Sequence, residues 1–138
     1  MRLIAILLAA VLAMPAAATA ASPGTVLVTG ANRGIGLEFV RQYAERGWAV
    51  IATARQPAEA RELAALAEKH PTVRIESLDL ANSESMTALA RKLVSQPIDI
   101  LINNAGVLVE LPKQSIGGLD RSEFEYVMAV NAFGAVKL

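Results

Sequence analysis

Gly30, Gly34 and Gly36 come directly after the apolar, β-branched run TVLVT at 25–29 and directly before residues with helical periodicity. Strand, glycine turn and helix in that order can bind a phosphorylated ligand. Glycines allow a tight turn and let a pyrophosphate approach without meeting a Cβ. The free N–H groups at the helix start then face the anion, backed by the positive end of the helix dipole. The spacing is G-x-x-x-G-x-G and no Lys-Ser/Thr follows the last glycine, so the stretch is not a nucleoside-triphosphate P-loop. A glycine-rich loop without a ligand is the plainer alternative, and its place between strand and helix argues against it.

A second set of residues bears on which phosphate is bound. In dinucleotide folds the residue about 20 positions beyond the glycines meets the adenosine ribose. An acid there accepts from a 2′-hydroxyl, whereas an Arg suits a 2′-phosphate. The residue here is Arg55, no Asp or Glu lies in 53–56, and Arg33 inside the glycine turn is a second cation. The pair points to NADP, with NAD second; two ordinary surface arginines are the alternative. Asp79, in SLDL, reads from the residues alone as an Asp that opens a turn. Asn131 sits at i+4 from Val127 on the apolar face of the last helix, where its amide needs partners.

Little else offers chemistry. The chain has one His and no Cys, which excludes disulfides and thiolate metal sites. His70 precedes Pro71 at a helix end, where a capping or solvated role fits best. Of the two tyrosines, Tyr43 has Gly47 at i+4 and Tyr126 has Val130, so neither is paired with a lysine.

These motifs resemble those of the short-chain dehydrogenase/reductase family. Residues 29–36 meet its T-G-x-x-x-G-[IL]-G signature at every position, which implies Thr29, Gly30, Asn32, Arg33, Gly34, Ile35 and Gly36 as cofactor-binding residues. The wording ANRGIG, with TAR at 53–55, is similar to NADP-type carbonyl-reductase-like and C-factor-like members. Asn103, Asn104, Ala105 and Gly106 match the family's N-N-A-G signature in full. The resemblance implies that small residues there admit the cofactor ribose, that Asn103 ties neighbouring strands together, and that Asp79 with Leu80 meets the adenine. It implies a catalytic role for Asn131, in VNAFG, as part of a proton relay. The family's Ser and Tyr-x-x-x-Lys do not occur in this sequence, so the resemblance covers roughly the first half of the family domain. Its reaction would be hydride transfer between NADP and a small-molecule carbonyl or alcohol.

The elements that must position these residues alternate. Strands are expected at 25–29, 48–53, 73–77 and 98–102, the third at a sheet edge. The first helix carries a stripe of Ile35, Phe39, Val40 and Tyr43, and closes with Gly47 at C′ and Trp48 as a hydrophobic C″ contact. Pro57 suits N1 of the second helix, lined by Ala60, Leu63, Leu66 and Ala67. Asn82 or Ser83 caps the third, lined by Met86, Leu89, Leu93 and Val94. After a loop at 107–119, Asp120 caps the last helix with Glu123 at N3, and Phe124, Val127, Met128 and Ala135 face inward. Repeated βαβ units predict an α/β, Rossmann-type parallel sheet with helices on both faces. The resemblance implies strand order 3-2-1-4, ending before a fifth strand.

Length and charge suit one domain: 138 residues, with 13 Lys+Arg against 13 Asp+Glu. Balanced charge without a basic cluster argues against a nucleic-acid partner. Residues 1–20 differ from the rest. Arg2, an apolar run, Pro15 and Ala18-Thr19-Ala20 read as a secretory signal peptide cut after Ala20, leaving a 21–138 domain with no stable membrane span, periplasmic or secreted. An uncleaved anchor is the alternative, as is a start assigned too far upstream, which would leave the protein cytoplasmic. Three functional readings follow: an NADP-dependent oxidoreductase present as its cofactor-binding half, a dinucleotide-binding module without chemistry, and a non-functional fragment. Helix 120–138 corresponds to one that often packs between subunits in the family, so a homo-oligomer is a further expectation.

Overall fold

The computed structural model describes residues 23–110, 117–118 and 120–138. The leader expected at 1–20 lies outside the described residues, as do Leu111 to Ile116 and Leu119 in the expected loop. Four strands, β1 (Thr25–Val28), β2 (Ala49–Ala54), β3 (Val73–Ser77) and β4 (Ile100–Ile102), form one sheet of order β3-β2-β1-β4. Every pairing is parallel. This is the expected 3-2-1-4 order, with β3 at an edge.

Neighbouring residues of a strand serve opposite faces, as the two-residue period requires. Val26 and Val28 of β1 join one core with Val50, Ala52 and Val73, covered by Val40 and Ala44 of α1 (Gly34–Glu45) and Leu63 of α2 (Arg61–Lys69). Leu27 and Ile51 join the other, covered by Met86, Leu89 and Leu93 of α3 (Ser83–Leu93) and by Val130. Strands buried on both faces explain why β1 and β2 read as unbroken apolar runs.

The helix ends follow their sequence cues. Gly47 has φ +79, its N–H donates to Ala44 O, and Trp48 N–H donates to Tyr43 O. That is a Schellman closure, and the Trp48 ring meets Tyr43 edge-on at 5.3 Å as its hydrophobic contact. Asn82 caps α3 by accepting from the Glu84 and Ser85 N–H groups. Asp120 caps α4 (Arg121–Met128) by accepting from Glu123 N–H.

Several stripes differ from expectation. In α1 the buried positions are Gly36, Val40 and Ala44, while Ile35 is 72% exposed and Phe39 also meets solvent. The helix lies on the sheet through its i, i+4, i+8 row, which includes a glycine that a hydrophobicity pattern ignores. Val94 falls just past the end of α3 and is 86% exposed. Pro57 opens a single 3₁₀ turn (Pro57–Glu59) ahead of α2, not α2 itself. Strand β4 starts at Ile100, because the Asp99 carboxylate accepts the Thr25 N–H that a longer strand would have engaged. Phe124 and Met128 are exposed, and α4 buries none of its residues. The inward residues instead belong to a π-helical turn (Ala129–Gly134), which rotates the face to Val130 and Gly134 before α5 (Ala135–Lys137). There a Cβ on Gly134 would stand 2.7 Å from Leu80 Cβ, so the glycine lets the helix pack against the segment after β3. Among the described residues, no helix is long and apolar enough to cross a membrane.

Candidate functional site

A cleft of about 510 Å³ opens where β1, β2 and β4 end and the chain turns to opposite faces of the sheet. Crevices beyond the carboxyl ends of parallel strands, at the point where strand order reverses, are where such folds bind ligands. The floor is a knot of backbone. Thr29 follows β1 and is fully buried, and its hydroxyl accepts from Asn104 N–H and Ala105 N–H, each at 3.0 Å. It donates in turn to Ile102 O. Asn104 returns the tie, donating its amide to Thr29 O at 2.9 Å and Gly30 O at 3.1 Å. Ala31 N–H donates to Thr53 O, fastening the same turn to β2.

The three glycines do different work. Gly30 has φ +64, and a Cβ there would lie 2.7 Å from Ala105 Cα. A Cβ on Gly36 would lie 2.2 Å from Gly30 O and 2.5 Å from Asn104 Nδ2, so the helix start closes directly on the turn. Gly34 has φ +56 and nothing within 4 Å of its would-be Cβ, so this position faces open space in the cleft wall. No side chain caps α1, and its first turn has no acidic residue. Its leading N–H groups therefore remain for a ligand, and an anion is the ligand they suit. A pyrophosphate fits this cradle.

The other end of the cleft is lined by side chains. Arg55 just past β2, Arg33 at the N-cap of α1, Asn32 and Ile35 are all exposed along it. Asp79 and Leu80 close the far wall. Asp79 does open a turn: its carboxylate accepts from Ala81 N–H at 2.9 Å, and its own N–H donates to Ser85 Oγ. It lines the cleft as well, so both readings of it hold geometrically. Two carboxylates, Asp79 and Glu59, thus share the cleft with two guanidinium groups.

The family model described as short chain dehydrogenase matches residues 24–138. The chain belongs to the short-chain dehydrogenase/reductase family. Human retinol dehydrogenase 8 is 35% identical over 124 residues, covering 86% of this chain and 39% of its own. A short-chain dehydrogenase/reductase from Burkholderia multivorans, solved with bound NADP, is 37% identical with a TM-score of 0.74, covering 83% of this chain and 51% of its own. The NADPH-bound carbonyl reductase from chicken fatty liver is 33% identical with a TM-score of 0.71, covering 82% and 44%. The chain therefore spans about two fifths of that retinol dehydrogenase and about half of the solved relatives.

Within the family's second signature, the tie between strands falls one residue later than expected. Asn104, not Asn103, ties the strands, through the bonds to Thr29 and Gly30. Asn103 points its amide to Ala135 O at 3.1 Å and does not line the cleft, whereas Asn104, Ala105 and Gly106 do. The alternation along β4 sends adjacent asparagines to opposite sides, and sequence alone does not say which faces β1.

Asn131 is exposed, not buried on an apolar face. Its amide is still satisfied: Oδ1 accepts from Val107 N–H and Nδ2 donates to Val107 O, both at 2.8 Å. This two-point clasp lies within the π-helical turn and holds the loop after β4 against it. One further donor and one further acceptor of the amide remain. Glu59, Val107 and Val130 also line the cleft and were not anticipated. Val130 was legible in principle, three residues after Val127 and so on the same helical face.

Proposed function

We propose that residues 23–138 form the dinucleotide-binding part of an NADP(H)-dependent oxidoreductase that interconverts a small-molecule carbonyl and its alcohol. The observation that carries the NADP reading is Arg55: it stands just beyond β2, lines the cleft, and has no carboxylate neighbour in 53–56. A guanidinium there matches a 2′-phosphate, where an acid would match a ribose hydroxyl. Arg33 lines the same cleft, and among the described residues its side chain has no partner. The NADP- and NADPH-bound relatives support the same choice.

The cofactor would supply or accept the hydride. The chain's own residues would do the holding. The N–H groups of Gly34, Ile35 and Gly36 face the pyrophosphate, Gly30 and Ala105 let it approach, and Asp79 with Leu80 bounds the adenine. Asn131 keeps the loop from Val107 in place beside the cleft, and its remaining donor and acceptor are free to order a proton path.

A dinucleotide-binding module without chemistry is the second reading. The observation that favours it is that Tyr43 packs on Trp48 and Tyr126 bonds to Arg55, with no lysine at i+4 from either. A proton donor for a carbonyl oxygen needs a phenol tuned by a nearby cation and free to reach the substrate. NADPH oxidation by the full chain with a panel of aldehydes and ketones separates the two.

Titration of the full chain with NADPH and NADH tests the cofactor assignment. Preference for NADPH that Arg55→Asp reverses or abolishes is expected. Equal affinity of the unaltered chain for both dinucleotides would overturn it.

A further inference from the structure

Tyr126 lies 71 residues from Arg55 in sequence, yet its hydroxyl accepts a hydrogen bond from Arg55 Nη1 at 2.8 Å. Tyr126 belongs to α4, four residues before Val130, which lines the cleft. The last turn of α4 therefore runs along the same mouth from which Arg55 projects. Among the described residues, no carboxylate pairs with this guanidinium, so the phenol is the one side chain that fixes its direction.

We propose that Tyr126 is a positioning residue for the 2′-phosphate of the dinucleotide, acting through Arg55; this rests on the NADP reading above. A free arginine carries several rotatable bonds and must be ordered when its ligand arrives. A guanidinium already held in place loses less freedom at that moment. The bond to Tyr126 uses one of five N–H donors and leaves the others for phosphate oxygens. The Tyr126 oxygen accepts from Arg55, so its own O–H is still available to donate to the same anion. An aromatic ring is a good anchor for this purpose, because it has few torsions to fix.

The phenol is 40% exposed, and a single hydrogen bond between solvated groups adds little to folding. Tyr126→Phe keeps the ring and removes only the hydroxyl. It should leave the melting temperature unchanged and weaken NADPH binding by roughly three- to tenfold. NADH, which has no 2′-phosphate, should bind within about twofold of the unaltered chain. In an Arg55→Ala background the hydroxyl has nothing to position, so adding Tyr126→Phe should then change NADPH affinity little. The experiment is a four-way titration of the full chain: unaltered, Tyr126→Phe, Arg55→Ala and the double variant, each with both dinucleotides.

Selective loss of NADPH affinity in Tyr126→Phe, absent when Arg55 is already gone, supports the proposal. Equal weakening of both dinucleotides overturns it, because the hydroxyl then acts on the fold or on the common part of the ligand. An unchanged NADPH-to-NADH ratio in Tyr126→Phe, with the unaltered chain still preferring NADPH, overturns it while the NADP reading stands. An unaltered chain with no preference defeats that reading first and this inference with it.

Discussion

The two ends of the cleft are built from different materials. At the glycine end, Thr29, Gly30, Gly36, Asn104 and Ala105 interlock through backbone atoms and two short polar side chains, and a methyl group at Gly36 would sit 2.2 Å from a carbonyl oxygen. At the other end, Arg33, Arg55 and Tyr126 are exposed side chains from three separate segments of the chain. On the proposed function, the first end would recognise what every nicotinamide dinucleotide shares, through residues packed into the strand ends. The second would recognise what distinguishes one dinucleotide from another, through residues outside the core. Stability and selectivity would then reside in different residues of one site.

Substitutions at each end can break that contrast. Gly36→Ala should have the largest effect. The added Cβ meets Gly30 O and Asn104 Nδ2, neither of which can yield without undoing the knot. The cost lies at or beyond the top of the ~1–3 kcal/mol usual for overpacking, and thermal unfolding should register it as a large drop or as loss of the folded chain. Thr29→Val comes next. It keeps the shape, leaves Ala105 N–H without its acceptor and leaves Asn104 N–H only Ile102 O, for a loss of about 1–3 kcal/mol by urea unfolding.

Arg55→Asp probes the other end. Its effect on stability should stay within about 0.5 kcal/mol, as for a surface site outside the core. Its effect on NADPH affinity should be a loss of about 1.5–3 kcal/mol, the worth of a charge-assisted hydrogen bond, or more than tenfold. A large fall in melting temperature in Arg55→Asp would erase the distinction between the two ends.

The smallest effect lies outside both. On the wet side of α1, hydrogen bonds from Arg41 and then Gln42 hold the Glu38 carboxyl down at about 2, below its ordinary 4.5. A carboxyl with a depressed folded pKa stabilises above its unfolded value and loses that contribution as pH falls through the folded one. Glu38→Gln should therefore differ slightly from the unaltered chain near neutral pH, and the difference should fade between about 4.5 and 2. These groups are solvated, so the effect is small and shrinks further in salt.

The sequence carried most of the glycine end because packing there restricts residue type. Gly30 and Gly36 are glycines for want of space, and a motif records such restrictions well. The Schellman closure at Gly47 and Trp48 was legible for the same kind of reason, whereas the strand order followed from the family resemblance. The misplacements came where geometry depends on a local phase. The last helix turns Val127, Val130 and Gly134 inward, so a stripe drawn through Phe124, Met128 and Asn131 is out of phase with the face that packs. The asparagine pair was read one residue out of step, since a motif names both and a strand turns each to a different side. Tyr126 was invisible for a further reason: its partner is far away in sequence, and nothing about a tyrosine on a half-exposed helix announces an arginine.

The most direct test of the account is an amide NMR titration of the full chain with NADPH. If the cleft holds the dinucleotide as described, the largest shifts fall on Gly30, Gly34, Ile35 and Gly36, with a second group at Arg55, Asp79 and Leu80. Shifts confined to the opposite side of the molecule, around Met86, Leu93 and Leu101, or none at saturating NADPH, would contradict it.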